Sequence, residues 1–308
     1  MYTVAAFYHF ASLDCDNLPN LQSTLETLCQ EKDIKGTILL AQEGVNGTVS
    51  GYAMAIEALI KALRAIDGFS ELAWKRAEAN SQPFFRMKVR LKKEIVTLGR
   101  GDLDVANQTA TKVGAEKWET LLNDPDCIVI DTRNTYETAI GQFKNATDPG
   151  TENFRDFPEY VAEKLAGDKK KKIAMYCTGG IRCEKASAYM KKAGFQSVYQ
   201  LDGGILKYLE ETKNKNAYWQ GDCFVFDNRV AVQDNLEEST YKQCFGCRHP
   251  LTYAQMQLDS YREGVHCHRC VDQLTSDQTK RFSERQRQIK LAKSRGKQHI
   301  GVNQKEAI

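Results

Sequence analysis

The 308-residue chain contains no apolar run of the length that a bilayer-spanning helix needs. Its first residues, Met1-Tyr2-Thr3-Val4, lack the basic stretch and apolar core of a secretory signal. The expected compartment is therefore the cytoplasm, with no membrane partner. Formal net charge is only +3, so bulk charge does not by itself call for a nucleic-acid partner. No glycine fingerprint for a flavin or nicotinamide is present. No two histidines and a carboxylate form a convincing set for non-haem iron. Without an export signal, the ten cysteines point to reduced thiols, catalysis or metal rather than to disulfides. The length leans toward two or three domains.

What the chain does have is sulfur in informative places. Cys177-Thr178-Gly179-Gly180-Ile181-Arg182 sits between an apolar run at 173–176, read as a buried strand, and a helix-like run at 184–193. A glycine-rich turn between such elements gathers backbone N–H groups into one concavity at the positive end of the helix dipole. A cysteine opening that turn is placed for a depressed pKa. Cys177 is thus the expected nucleophile, Arg182 a fixed cation, and Thr178, Gly179, Gly180 and Ile181 the cradle. Four residues separate Cys177 from Arg182, one fewer than in the Cys-x5-Arg loop of cysteine-dependent phosphatases. The smaller ring suits a persulfide or other small adduct better than a phosphate. Cys183 reads either as a resolving thiol or, by slight preference, as a small residue packed under the loop. Cys15, Cys29, Cys127 and Cys223 read as ordinary core or surface residues.

Hydrophobic periodicity divides the rest. Residues 3–10, 17–31, 36–41, 45–50 and 53–66 read as β-α-β-β-α, and 70–77 and 84–98 both read as extended; the order β-α-β-β-α-β is the pattern of an α+β ferredoxin-like domain. Such a sheet often leaves one face open, a common platform for RNA or peptide, though the fold alone does not establish which role it has. Residues 99–112, with Gly99, Gly101, Asn107 and Gln108, read as a polar linker. Residues 113–215 alternate strand and helix, as in an α/β domain with a parallel sheet. The expected boundaries are 1–100, 101–230 and 231–308.

The last region carries Cys244-x2-Cys247 and Cys267-x2-Cys270. Two such knuckles present four thiolates to one tetrahedral metal, leaving no position for substrate, so structural zinc is expected. An iron–sulfur cluster is the weaker alternative. Lys280, Arg281, Arg285, Arg287, Lys290, Lys293, Arg295 and Lys297 follow. They read equally well as a solvated helix face or as a grip on a phosphate backbone.

The central region resembles the rhodanese homology domain. Asp131-Thr132-Arg133 followed by Glu137, the segment 140–146, the Cys177 loop and the Gly-Gly turn within 194–205 carry that likeness, with Tyr208 where a Trp is common. In this setting Asp131 and Arg133 are expected to brace the loop and the domain interior rather than do chemistry. With Glu43-Gly44-Val45-Asn46-Gly47-Thr48 and the knuckles included, the whole chain resembles the bacterial rhodanese-domain tRNA uridine hydroxylases, the TrhO family. The resemblance implies oxygen-dependent hydroxylation of the wobble uridine in the tRNA anticodon, with Cys177 essential, molecular oxygen as co-substrate and an electron donor it does not identify. The rival expectation is a sulfurtransferase passing persulfide sulfur from Cys177 to a thiol, cyanide or a tRNA base.

Overall fold

The computed structural model describes residues 1–296 apart from Asn107, Asn214 and Asn216. Asn107, expected in the linker, and Lys297, expected in the basic tail, lie outside the described residues.

The chain opens with β1 (Tyr2–Phe10), α1 (Leu18–Glu31), β2 (Lys35–Ala41), β3 (Gly44–Gly51), α2 (Ala53–Arg64) and β4 (Trp74–Ala79). A further strand, β5 (Met87–Leu91), follows. The sheet order is β4-β1-β3-β2-β5. The first four strands pair antiparallel, as the ferredoxin-like pattern requires, and β5 adds a parallel edge beside β2. Period-2 alternation sends Ala5, Phe7, Ile38, Leu40, Val45 and Val49 to one face. There they pack against Leu25 and Cys29 of α1 and against Ile56, Leu59 and Leu63 of α2. The opposite face, including Tyr8, Asn46 and Lys75, is the one expected to lie open. The second domain instead covers part of it. Tyr8 donates to Glu184 of the second domain at 3.1 Å, and within the first domain the Asn46 amide donates to the Ile95 carbonyl at 2.9 Å.

The linker is less separate than its polarity implied. Leu98 and Ala110 are buried in the second core, and the Ala110 N–H donates to Ser187 at 3.0 Å. Its end forms β6 (Thr111–Val113). Then come α3 (Ala115–Leu122), β7 (Cys127–Asp131), α4 (Thr135–Thr138), β8 (Gly141–Phe143), α5 (Phe157–Lys164), β9 (Lys172–Tyr176), α6 (Ile181–Lys192), β10 (Ser197–Leu201) and α7 (Gly204–Glu211). Strands β6, β10, β9 and β7 make a parallel sheet in that order. Central β9 is apolar after Lys172 because both its faces are covered. Ala174 and Tyr176 meet the α3 and α7 side, while Ile173, Met175 and Cys177 meet the α5 and α6 side.

β11 (Trp219–Gly221) pairs back onto β8, and Phe143 packs edge-on against Trp118, Tyr176, Tyr208 and Trp219. The short ribbons β12 (Cys223–Phe224) with β13 (Ala231–Val232), and β14 (Lys242–Gln243) with β15 (Pro250–Leu251), lead to α8 (Ser276–Ser294). A capping box between Thr275 and Gln278 starts α8. Arg285 ties it to the knuckles by donating to the carbonyls of Phe245 and Gly264.

Candidate active site

Helix α6 begins three residues earlier than its sequence pattern indicated, so Ile181 and Arg182 belong to the helix and the loop is only Cys177–Gly180. The reason lies in Gly180. It is the residue before the helix, and its φ of +106° suits glycine alone. A Cβ there would also sit 2.8 Å from the Tyr8 hydroxyl. The turn therefore closes quickly and aims the first N–H groups of α6 at the sulfur.

Cys177 is 1 % exposed. Gly180 donates its backbone N–H to Cys177 Sγ at 3.1 Å. Burial works against ionisation. Hydrogen bonds from Cys183, the Arg182 charge and the Gly180 N–H overcome it, and the Cys177 thiol falls to about 5. Cys183 is fully buried beneath the loop, with Thr132 Oγ1 3.7 Å from its sulfur. Burial and the neighbouring Cys177 push its own thiol far up. The structure thus packs Cys183 under the loop, in the same buried cluster as Cys177.

Arg182 does not face the sulfur with a free charge. Its two terminal nitrogens donate to Glu137 Oε1 at 2.6 Å and Oε2 at 2.8 Å, and Glu137 is completely buried. Thr178 is drawn into the same cluster, 3.4 Å from both Glu137 and Arg182. Nothing lies within 4 Å of a Cβ built on Gly179, so the loop has room there. Glu137 lay in the sequence signature, but its grip on Arg182 was not foreseen. Arg133 is wholly buried. It clasps Asp131 by both carboxylate oxygens and donates to the Gly141 carbonyl at 2.6 Å. Those contacts tie the end of β7 to β8, one strand away from the loop.

Two elements outside the motif complete the surroundings. Gly203 and Gly204 both hold positive φ, and α7 starts against the loop. Ile205 and Leu206 donate to the carbonyls of Cys177 and Thr178 at 3.0 and 3.2 Å. A Cβ on Gly204 would lie 2.4 Å from the Cys177 carbonyl oxygen, so only glycine allows this approach. From the first domain, Lys185 of α6 pairs with Glu43 at 2.8 Å and also with Glu94, and Lys112 and Tyr8 share Glu184. Tyr8 and Lys75 of the N-terminal sheet lie over the loop region. Neither stands out in the sequence, because a lone Tyr or Lys in an alternating strand carries no distance signal.

The knuckles come together as their spacing indicated. All four sulfurs of Cys244, Cys247, Cys267 and Cys270 lie within 4.8 Å of one another. Measured Sγ–Sγ separations are 3.9 Å for Cys244–Cys270, 3.7 Å for Cys247–Cys267 and 3.9 Å for Cys267–Cys270. A tetrahedral metal with bonds of about 2.3 Å would hold thiolates about 3.8 Å apart, so the donor set fits a metal ion. His249, His266 and His268 stay outside the set, and His266 Nδ1 lies 2.9 Å from the Ser260 carbonyl.

Comparison with known proteins covers the same regions. Residues 2–95 match a family model described as the UPF0176 acylphosphatase like domain, and residues 114–211 match the rhodanese-like domain. A protein of Teredinibacter turnerae called tRNA uridine(34) hydroxylase is 52% identical over 300 residues, 97% of this chain and 93% of its own length. A Rhizobium leguminosarum protein of the same name is 51% identical over 97% of this chain and 96% of its own length. Among solved structures, the rhodanese-like domain of an Anabaena protein aligns with a TM-score of 0.31. Its identity is 20%, over 37% of this chain and 80% of that domain.

Proposed function

Because the chain belongs to the tRNA uridine(34) hydroxylase family, we propose that it hydroxylates the wobble uridine of tRNA to 5-hydroxyuridine, with Cys177 as the reacting residue. The observation that carries this reading is identity above half across 97% of the chain, knuckles included. The geometry supports the role of Cys177, a sulfur held as thiolate at a helix N-terminus. Sulfur transfer, the rival from the loop alone, is not favoured, because relatives matching the full length carry the hydroxylase name.

In the mechanism we propose, the Cys177 thiolate adds to C6 of the uracil ring, making C5 the nucleophilic carbon. The N–H groups of the loop hold the sulfur. Arg182 and Glu137 keep the loop in shape, and Asp131 with Arg133 fixes the strand beneath it. Molecular oxygen supplies the new oxygen atom on C5, a two-electron donor with two protons reduces the other to water, and loss of the C5 proton then expels the Cys177 thiolate from C6 and restores the C5=C6 double bond. Structural zinc on Cys244, Cys247, Cys267 and Cys270 would hold the last domain together. The setting we infer is the cytoplasm.

The same reading needs a grip on RNA. Arg86 and Arg90 are exposed on either side of Lys88, and burial plus the charges of Arg86, Arg90 and Arg248 lowers the Lys88 amine. Arg285 is lowered by burial and then by Arg248 and Arg281. These groups crowd into one basic surface running from β5 across the first knuckle to α8. We assign the anticodon arm to it.

The test is isotopic. Cells carrying the wild-type gene and grown under heavy oxygen gas should yield 5-hydroxyuridine with one heavy oxygen atom. Label entering from water would overturn the oxygen assignment. Loss of a thiolated nucleoside on gene deletion would move the protein to sulfur transfer.

A further inference from the structure

Among the described residues, the cations around the Cys177 loop have carboxylate partners, with one exception. Arg182 holds Glu137, Arg133 holds Asp131, Lys112 holds Glu184, Lys185 holds Glu43 and Glu94, and Lys207 holds Asp202. Lys75 Nζ is sealed from solvent and has no hydrogen-bond partner among the described residues. Leaving a buried ammonium unpaired is costly unless something fills the site in use.

Its position follows from the sheet register. Ala6 of β1 pairs with Lys75 of β4, and Tyr8 lies two residues on, on the same face. Tyr8 reaches Gly180 at the far end of the loop. Lys75 reaches the Gly203-Gly204 turn, with Nζ 3.1 Å from where a Cβ on Gly203 would be. Gly204 in turn touches the Cys177 carbonyl. Lys75 therefore comes from the first domain to the turn that packs on the Cys177 backbone. Burial lowers its amine to about 8, partly offset by Cys177 and Asp202.

Resting on the hydroxylase reading, we propose that Lys75 is a catalytic residue, the cation that binds the anionic oxygen formed on the pyrimidine when Cys177 attacks it. In that step the Sγ–C6 bond forms and the C5=C6 pair shifts toward the C4 carbonyl, leaving the charge on O4. The Lys75 ammonium receives that oxygen as a hydrogen-bond donor, and no proton need transfer. Cys177 is 1 % exposed, so an entering ring displaces the Tyr8 and Lys75 cover. For this contact O4 must face the side from which Lys75 projects. Arg182, bound on both nitrogens by Glu137, is not free for this task. The first domain thereby becomes part of the active site, beyond any role as an RNA platform.

The experiment compares Lys75→Met and Lys75→Arg with wild type in the full-length protein, by thermal melting, tRNA binding and complementation of a deletion strain. Removing an unpaired buried charge should raise the melting temperature. The 5-hydroxyuridine content of tRNA in the complemented deletion strain should fall at least about tenfold in Lys75→Met, with tRNA affinity within about twofold and partial recovery in Lys75→Arg. A lowered melting temperature with that content unchanged would make Lys75 structural and overturn the proposal. Full activity in Lys75→Met, with Cys177→Ser inactive, would reject Lys75 and leave the hydroxylase reading standing. Activity in Cys177→Ser would reject the underlying reading itself.

Discussion

Glu137 grips Arg182 through both of its oxygens, at 2.6 and 2.8 Å, where Glu137 is fully buried and the Arg182 side chain is 8% exposed. The pair joins α4 to the first turn of α6. It therefore fixes the start of α6 beside the loop.

Breaking one half of such a pair leaves a buried charge behind. Glu137→Gln should destabilise the protein by about 3–5 kcal/mol, read by urea unfolding. A loss below about 1 kcal/mol would place the pair among weak surface bridges. Burial raises the Glu137 carboxyl, but Arg182 and Arg133 win and hold it below the usual carboxylate range. Its contribution is therefore present above the ordinary glutamate pKa and disappears on acidification.

The Cys177 thiol, lowered to about 5, lies below its unfolded value of about 8.5. The thiolate therefore contributes stability in full above the unfolded value, and this is lost as pH falls through about 5. The thiolate ultraviolet absorbance of wild type minus Cys177→Ser should persist at pH 7 and vanish below about pH 5. A midpoint above pH 8 would contradict the cradle.

Gly180→Ala forces a side chain into φ +106° against the Tyr8 hydroxyl at 2.8 Å. We expect a stability loss of about 1–2 kcal/mol and strongly reduced activity. Adding Tyr8→Phe should recover only the steric part. Unaltered melting and activity would show that the turn tolerates a different path.

The basic surface predicts that Arg86→Ala with Arg90→Ala weakens tRNA binding evenly across sequences. The slope of log affinity against log salt should fall by about 1 for each phosphate that an arginine no longer neutralises. An unchanged slope would place the RNA elsewhere.

For the knuckles, one equivalent of zinc should be found in purified protein. It should be lost on Cys244→Ser, with unfolding of the last domain. A metal-free, well-folded protein would contradict the site.

Much of this was legible in the chain because it is local. The Cys177 loop, the Asp131 and Arg133 strand end and the two knuckles are short motifs; the four knuckle cysteines meet as expected, while Asp131 and Arg133 bind each other and β8 rather than the loop. Strand and helix periods marked out the elements of the first sheet, but the parallel pairing of β5 beside β2 is set by tertiary packing. The start of α6 was misplaced by three residues, because Gly180 looks like loop until its positive φ is known. Arg182 reads from sequence as a fixed cation beside the sulfur, and its charge does lower the Cys177 thiol, but nothing in sequence shows that Glu137, forty-five positions earlier, binds it. Tyr8 and Lys75 were invisible for the same reason: their meaning depends on one domain packing against another.

The most direct test is nucleoside mass spectrometry of tRNA from a deletion strain complemented with wild type or Cys177→Ser. The account predicts that 5-hydroxyuridine and its derivatives at the wobble position return with wild type and stay absent with Cys177→Ser. Their return with Cys177→Ser would contradict the central claim that this sulfur performs the chemistry.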